Sequence, residues 1–567
     1  MDIFKKIPVL CCGEADYSSG EEIEDDDAKG NLSHVGNAAY EVLRTKHNHY
    51  HNTLWNVTSG RIVGELHQTP KDAWPGAPVP EDGHDDWFPQ IMADIMTRTE
   101  VWCDVMSLGP PDGIFMDKFK EALQTLCEKA EGKEKPIHIR MMFGNIVGMP
   151  VNCNGLREEL TADLPEDANI RLWIGAWRKG VSWNHAKIIA VDGKHLHTGG
   201  HNLWDHHYLK FDPVHDLSLE LEGRVAHDGH LFANEQWGYV ERKQETILGT
   251  IGEKLPDYMP QVGPSRVTVS EWPKKVASEY PPKYSKKVVP KVPLLEDRIP
   301  IITMGRYGAI VKHDRPSDDA FLAMLGSANT IIRLGLQDLG PVCLPGTKVA
   351  LPGCVWPKGY LSELGRVLWE KGVDVEIVLS NPGSIPGGLS ATEACYGNGW
   401  SCVDVAAEII KTIRKQFPEA EDDDLRKKVA ENLRVCFIRQ ERGNAWEDGM
   451  TMGMHAKHFI VDDCTTYIGS QNLYVCDLAE WGVVIDNAEQ TQKFMEEYWN
   501  PMWKYSYTGE DVDVQEVMDG LDIDRDGEDP SGISDETKQL MKEAELASAG
   551  CGRHKAEMYD AEEEEES

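Results

Sequence analysis

From Trp87 onward, short apolar runs alternate with stretches in which apolar residues recur every three or four positions. The first kind fits buried strands, and the second fits helices with one covered face. The pattern predicts a helix near Phe88 to Arg98, a strand near Glu100 to Leu108, a turn at Pro110-Pro111-Asp112-Gly113, a helix from Phe115 to Ala130 and a strand from Ile137 to Phe143. The same order returns downstream: helix Asp318 to Ala328, strand Thr330 to Leu336, helix Tyr360 to Lys371 and strand Val373 to Leu379. A whole unit is therefore duplicated within the chain. Helices and strands alternating at these lengths predict an α/β fold, with mixed or parallel sheets covered by helices.

Two further apolar runs, Ile188 to Val191 and Phe459 to Val461, read as buried strands, and each lies inside a polar motif. The first motif is His185, Lys187, Asp192, Gly199-Gly200 and Asn202; the second is His455, Lys457, Asp462, Gly469-Ser470 and Asn472. Both copies keep His-x-Lys, four residues, Asp, six residues, Gly-Gly or Gly-Ser, one residue, Asn. Alternation along extended chain turns His and Lys to one side, so imidazole and ammonium can face the same anion. The asparagines are neutral donors, and the small Gly199-Gly200 and Gly469-Ser470 pairs let backbone come close to a phosphate. Brought together, the two half-sites would surround one phosphorus with two His, two Lys and two Asn. One imidazole could then attack while the other protonates the leaving alkoxide, with Lys and Asn holding charge on the remaining oxygens. Spacing alone does not decide which imidazole takes which part. A single His-x-Lys on a strand arises by chance; two copies with identical spacing and the same Gly/Asn sequel do not. Asp192 and Asp462, each at the end of a buried strand, are expected to hold turn amides or a basic side chain rather than substrate.

The duplicated motif resembles that of the phospholipase D superfamily, and the chain is similar to its secreted bacterial members over roughly residues 50 to 510. The likeness is carried by Ser182-Trp183-Asn184-His185, Asp192-Gly193, Thr198-Gly199-Gly200, Asn202, Trp204, Tyr208 and Pro213-Val214-His215-Asp216, and further by Leu54 to Gly60, Gly469 to Tyr474 and Trp503 to Ser506. The resemblance implies two α/β halves packed face to face with one active site at their junction. It implies that His185 forms a phosphohistidine and that His455 protonates the leaving alcohol and later activates the acceptor. It also implies that an acid after each motif orients the histidine of the other, Asp216 for His455 and Glu480 for His185. Glu480 stands where the bacterial enzymes carry Asp, a longer arm. Asn202, Asn472, Gly200, Ser470, Trp204 and Tyr208 form the expected substrate-binding set. Trp183, Trp204 and Tyr208 either line a mouth for a quaternary ammonium headgroup or pack the core, with Trp204 favoured for the mouth because the family keeps an aromatic there. No metal ligand set appears among these residues, so no cofactor is expected to be required.

Composition narrows the partners. A net charge of −37 opposes general binding to nucleic acid or to anionic lipid surfaces. Much of the acidity is at the ends, Glu14 to Asp27 and Glu562 to Glu566, so the body can still hold a positive pocket, and a zwitterionic substrate fits better than a polyanionic one. Hydrophobic residues make up 41% of the chain, as in a soluble globular protein, and no apolar run reaches membrane-spanning length. Lys5-Lys6 precede an apolar run, Ile7 to Cys12, too short for a signal peptide; a cytoplasmic or peripheral membrane location is expected, with secretion left open. Thirteen cysteines, an odd number spread over a large chain, fit free thiols better than a disulfide framework. Cys343 with Cys354, or Cys395 with Cys402, would pair only in an oxidising compartment. Cys11-Cys12 are a candidate acylation site. His47, His49 and His51 could face one way on a strand and bind metal, although packing is the preferred reading. Asn56-Val57-Thr58 is a glycosylation sequon that matters only on secretion.

The chain divides into an acidic segment, 1–35, expected to be disordered; an N-terminal half, 36–270; a Pro/Lys-rich linker, 271–298, read as extended and solvated; a C-terminal half, 299–510; and an acidic tail, 511–567. In the tail, Asp522, Asp524 and Asp526 begin like a calcium loop, but Asp529 and Ile533 stand where an apolar residue and a Glu are expected, so a solvated tail is the default. The expected activity is that of a phospholipase D. A monomer in peripheral contact with a phospholipid membrane or micelle would cleave the distal phosphodiester of phosphatidylcholine, with water or another alcohol as acceptor. Rival readings are a phosphatidyltransferase of the phosphatidylserine or cardiolipin synthase kind, a nuclease of the same superfamily, which the acidic balance opposes, and a non-catalytic lipid-binding scaffold, which two complete motifs oppose.

Overall fold

The computed structural model describes residues 26–71, 73–74, 87–146, 150–179, 182–208, 214–244, 265–273, 280–308, 315–342, 349–350, 354–382, 384, 400–445, 451–475 and 478–521. Among these, the strands in chain order are β1 (Trp55–Thr69), β2 (Trp102–Ser107), β3 (Ile137–Gly144), β4 (Ile170–Lys179), β5 (Ser182–Trp183), β6 (Ile188–Val191), β7 (His195–Gly199), β8 (Asp216–Glu222), β9 (Ser265–Trp272), β10 (Ile299–Tyr307), β11 (Ile331–Leu336), β12 (Asp374–Leu379), β13 (Leu433–Phe437), β14 (Lys457–Val461), β15 (Thr465–Gly469) and β16 (Ala479–Ile485). They form one mixed sheet in the order β13-β12-β11-β14-β15-β16-β10-β1-β8-β7-β6-β2-β3-β4-β5, with β9 also on β4.

Read outward from the centre, the two sides match. In the first half β2, β3 and β4 run parallel, β6 is antiparallel to β2, and β6 to β8 form a meander. In the second half β11, β12 and β13 run parallel, β14 is antiparallel to β11, and β14 to β16 form the same meander. Parallel neighbours need a crossover, which the helices Gly113–Ala130 and Lys358–Lys371 supply. Helices cover both faces, so the strands carrying the motifs are apolar throughout rather than alternating. One apolar cluster lies under the helices of the first half and another under those of the second. A third is shared by both halves and includes Trp177, Phe232, Trp481, Tyr498 and Trp499. Each half also carries an ion pair across its first parallel strands, with the signs exchanged. Asp104 on β2 meets Arg140 on β3 at 2.6 Å, and at the same register Arg333 on β11 meets Glu376 on β12 at 3.1 Å.

The seam between the halves falls inside β1. Trp55 to Gly60 pairs with β10, and Arg61 to Thr69 pairs with β8. The helix His34–Lys46 lies on the second half as well, with Val35, Ala39 and Leu43 buried beside Phe321, Met324 and Leu325 of the helix Pro316–Ser327. Residues 36–60, assigned to the N-terminal half on sequence, thus pack against the C-terminal one. Structure also begins within the 1–35 segment: Asp26–Gly30 is helical, and Ala28 and Leu32 join the same core.

The 271–298 segment is not free in solvent. Tyr284 is buried, its N–H donates to Asn234 Oδ1 and its carbonyl accepts from Asn234 Nδ2, both at 2.9 Å. Val289 and Val292 are buried beside it in sequence, so apolar residues between the lysines anchor the segment. Past residue 510, Arg439 holds Asp511 at 2.5 Å and the helix Val514–Gly520 buries Val517 and Met518, so the fold extends into the tail. The histidines of the 47–51 stretch do not converge: His47 Nε2 is 3.0 Å from Asp319, and His51 Nε2 is 3.1 Å from Asn56. Asp522, Asp524, Asp526, Cys11, Cys12, Cys343 and Cys395 lie outside the described residues. Cys354 and Cys402 are thiols. Among the described residues, no group of three or more His, Cys, Asp or Glu side chains is arranged as a metal site requires, and no helix is long and apolar enough to cross a membrane.

Candidate active site

Backbone bonds across the seam set the two motif histidines in place. His185 N–H donates to the carbonyl of Ala479 at 2.9 Å, and His455 N–H donates to the carbonyl of His215 at 2.7 Å. Those carbonyls immediately precede Glu480 and Asp216. The side chains follow the same reciprocity: His185 Nδ1 is 2.9 Å from Glu480 Oε2, and His455 Nδ1 is 2.7 Å from Asp216 Oδ2. Each histidine therefore meets an acid from the opposite half. The imidazole centroids are 6.3 Å apart with their planes at 75°. All four side chains are buried.

Lys187 and Lys457 are buried beside them, and each ammonium donates to the carbonyl of its own motif histidine, Lys187 to His185 at 2.6 Å and Lys457 to His455. Asn202 and Asn472 are buried too, and both side-chain polar atoms of Asn202 lack a protein hydrogen-bond partner. Gly200 and Ser470 treat the acids differently. A Cβ on Gly200 would lie 2.0 Å from Asp216 Oδ1, so the position is open only to glycine while that carboxylate stays. Ser470 Oγ instead donates to Glu480 Oε2 at 2.5 Å.

Tyr208 stands behind the site rather than at a mouth. It is fully buried, its hydroxyl accepts from Asn202 N–H and donates to Asp216 Oδ2, each at 3.1 Å, because the helix Asp205–Tyr208 turns the ring inward. Trp204 is half-buried against Gly109, and Trp183 against Gly144. Asp192 and Asp462 occupy positive-φ turns, at 52° and 51°, just after the motif strands. Asp192 accepts from the amides of Glu100, Val101 and Trp102 at 2.6 to 3.0 Å, and Asp462 from those of Asn329, Thr330 and Ile331 at 2.8 to 3.1 Å. Both tie the motif strand to the start of the adjacent antiparallel strand, β2 or β11.

Burial, reinforced by Lys187 and Lys457 and opposed by Glu480, pushes the His185 imidazolium down to about 4. Burial and Lys457 likewise hold His455 well below the usual histidine range. Burial alone would raise Glu480, but His185, Arg306 and Lys187 outweigh it and keep the carboxyl below its ordinary value. Asp216 is held down in the same way by His455, His201 and Lys457. The result is two carboxylates and two neutral imidazoles that spend Nδ1–H on an acid, which leaves Nε2 for chemistry.

Two residues near the acids escaped sequence reasoning. Arg306, buried on β10, places Nη1 2.7 Å from Asp318 Oδ1 and Nη2 4.0 Å from Glu480 Oε1. His201 is bracketed by Ser218 Oγ and Thr69 Oγ1, each at 2.7 Å. Neither belongs to a repeated pattern: Arg306 comes to the site by the register of β10 against β16, and His201 lies between Gly200 and Asn202 of the first motif, where the second has Gln471.

No family model matches the chain. It is 25% identical over 435 residues to a phospholipase D of Streptomyces antibioticus, which covers 71% of this chain and 74% of that protein. Among solved structures it is similar to a phosphatidylserine synthase from Haemophilus influenzae Rd KW20, with a TM-score of 0.46 and 11% identity, over 91% of this chain and 100% of that one. It is also similar to the phospholipase D family member Nuc from Salmonella typhimurium, with a TM-score of 0.19 and 18% identity, over 33% of this chain and 85% of that one. A mixed sheet covered by helices thus holds two copies of the His-x-Lys motif across one seam. The likeness to that phospholipase D supports a place in the phospholipase D superfamily and an enzyme of the phosphodiesterase or phosphatidyltransferase kind.

Proposed function

We propose that this enzyme is a phospholipase D that cleaves the distal phosphodiester of a zwitterionic glycerophospholipid, phosphatidylcholine first, to phosphatidic acid and the headgroup alcohol. The observation that carries this reading is the pair of imidazoles, centroids 6.3 Å apart, each fixed through Nδ1 by an acid of the opposite half. That separation suits a single phosphorus attacked from one side while the leaving oxygen is protonated from the other, each reach being about 3 Å.

His185 Nε2 attacks phosphorus, and the bond to the headgroup oxygen breaks. His455, as imidazolium, delivers its proton to that oxygen. The incoming phosphodiester carries a negative charge beside Lys187 and Lys457, which offsets the ammonium groups that otherwise disfavour a protonated His455. Asp216 then stabilises the imidazolium, and Glu480 the phosphorylated ring. Neutral His455 next takes a proton from water, the hydroxide forms the new P–O bond, and the N–P bond breaks to release phosphatidic acid. An alcohol in place of water gives headgroup exchange. Lys187, Lys457, Asn202 and Asn472 hold charge on the non-bridging oxygens throughout. The enzyme would meet its substrate as a monomer in peripheral contact with a membrane or micelle, with no nucleic acid partner.

The test is incubation with phosphatidylcholine and ethanol. Phosphatidylethanol and free choline are the expected products; untouched lipid with cleaved oligonucleotide would sink the proposal. His185→Ala is expected to abolish the covalent adduct and His455→Ala to slow its turnover, and an adduct that persists in His185→Ala would reverse the two roles.

A further inference from the structure

The two histidine–acid pairs are related by the internal repeat, but their surroundings are not. Asp216 Oδ2 takes His455 Nδ1 and the Tyr208 hydroxyl, and its other oxygen, Oδ1, takes the amide of Leu217 at 2.8 Å. Glu480 Oε2 takes His185 Nδ1 and the Ser470 hydroxyl. Its other oxygen, Oε1, has no hydrogen bond and faces the Arg306 guanidinium at 4.0 Å. The amide that would match Leu217 N–H, that of Trp481, donates instead to Ser470 Oγ at 3.1 Å. Register makes the comparison strict. Arg306 on β10 stands opposite Glu480 on β16, and Thr69 on β1 stands opposite Asp216 on β8. Where one half has a threonine, the other has a buried arginine, itself held by Asp318 at 2.7 Å.

We propose that Arg306 is a positioning residue for the reaction: by pairing with the outer oxygen of Glu480 it fixes the longer acid arm and shares its charge, which makes the His185 site electrostatically unlike the His455 site. The inference rests on the reading of His185 as the nucleophile. A Glu carboxylate that gives part of its field to a guanidinium draws less proton affinity into His185, so the imidazole stays neutral for attack. For the same reason the phosphorylated ring is less stabilised and leaves more readily in the second step. The charged and titratable groups facing this pair are Lys187, His455, Lys457, Arg306, Asp318 and Tyr467. Of the cations, Arg306 is the one whose partner is the acid's outer oxygen.

The experiment compares Arg306→Gln, Arg306→Lys and wild type for kcat and its pH profile, with thermal unfolding followed in parallel and the base-quenched adduct mapped by peptide mass. Arg306→Gln is expected to lower kcat about 10- to 100-fold and to move the acid limb upward by about one pH unit. Arg306→Lys is expected to return the limb to its wild-type place. The converse variant rebuilds the first-half arrangement, Arg306→Thr with Glu480→Asp and Ser470→Gly, which releases the Trp481 amide for the shorter acid. It is expected to recover about tenfold over Arg306→Thr alone. A uniform loss of rate with an unmoved limb, or no recovery in the triple variant, would overturn the proposal. If the wild-type adduct maps to His455, the nucleophile reading fails, while the limb shift still reports on Arg306.

Discussion

Replacing Gly200 by alanine probes the tightest point of the site. The added Cβ would stand 2.0 Å from Asp216 Oδ1, where ordinary contact begins at 3.4 Å, so the carboxylate must retreat by more than an ångström. It has nowhere easy to go. Oδ1 holds the Leu217 amide at 2.8 Å, and Oδ2 holds His455 at 2.7 Å and Tyr208 at 3.1 Å, all fully buried. Overpacking of this kind costs about 1–3 kcal/mol of stability. Catalysis should suffer more, because His455 follows its acid and a misplacement of about 1 Å at a reacting group costs on the order of 100-fold in rate. Ser470→Ala is the control at the repeat-related position: it removes one donor to Glu480 without intruding, and about tenfold is expected. The assay is choline release from phosphatidylcholine under saturation, with circular dichroism confirming the fold at the assay temperature. Gly200→Ala turning over within about threefold of wild type, less than 1 kcal/mol, would refute the view that Asp216 is confined where it orients His455.

Two stability predictions follow from the frame. Asp192→Ala strips three amides of their acceptor and should cost about 2–4 kcal/mol in urea unfolding, with activity lost only as the fold is lost; a neutral result would mean that the turn closes without the carboxylate. Asp228 is buried against Asn56 and Thr303, and burial pushes its carboxyl up to about 6. A raised carboxyl favours the protonated folded state, so this residue's contribution to stability grows as pH falls from about 6 towards 4 and is a penalty above about 6. Asp228→Asn should therefore stabilise the protein at pH 7 by up to about 3 kcal/mol and flatten that part of the stability curve; equal loss of stability at both ends of the window would contradict it.

The helices and strands were legible because each is local. The strands predicted near Glu100 to Leu108 and at Ile137 to Phe143 are β2 and β3, and the second-half strands are β11 and β12 to within a residue or two. The helices predicted from Phe115 and Tyr360 begin two residues earlier, at Gly113 and Lys358. What escaped is non-local. Nothing in Trp55 to Thr69 says that one strand serves two halves, since a strand reads alike whichever partner it takes. Tyr284 lies among lysines, and its burial depends on Asn234 and His227 some fifty residues away. Tyr208 was readable as an aromatic beside the motif, but its inward turn toward Asp216 was not.

The repeat itself hides what departs from it. Glu480 on its own reads as a conservative swap for Asp with an arm longer by one methylene, about 1.5 Å. In three dimensions the change comes with two others, Ser470 for the counterpart of Gly200 and Arg306 for the counterpart of Thr69. The short acid needs a glycine beside it and takes a backbone amide; the long acid takes a hydroxyl from the residue that could have been glycine and a guanidinium from the strand opposite. The signs of Asp104–Arg140 and Arg333–Glu376 are exchanged together, as a pair. A buried charge tolerates replacement only when its partner changes with it. The repeat therefore keeps the imidazoles and ammonium groups of both motifs while the supporting pairs differ, which is how a twofold frame comes to hold two histidines in different electrostatic surroundings.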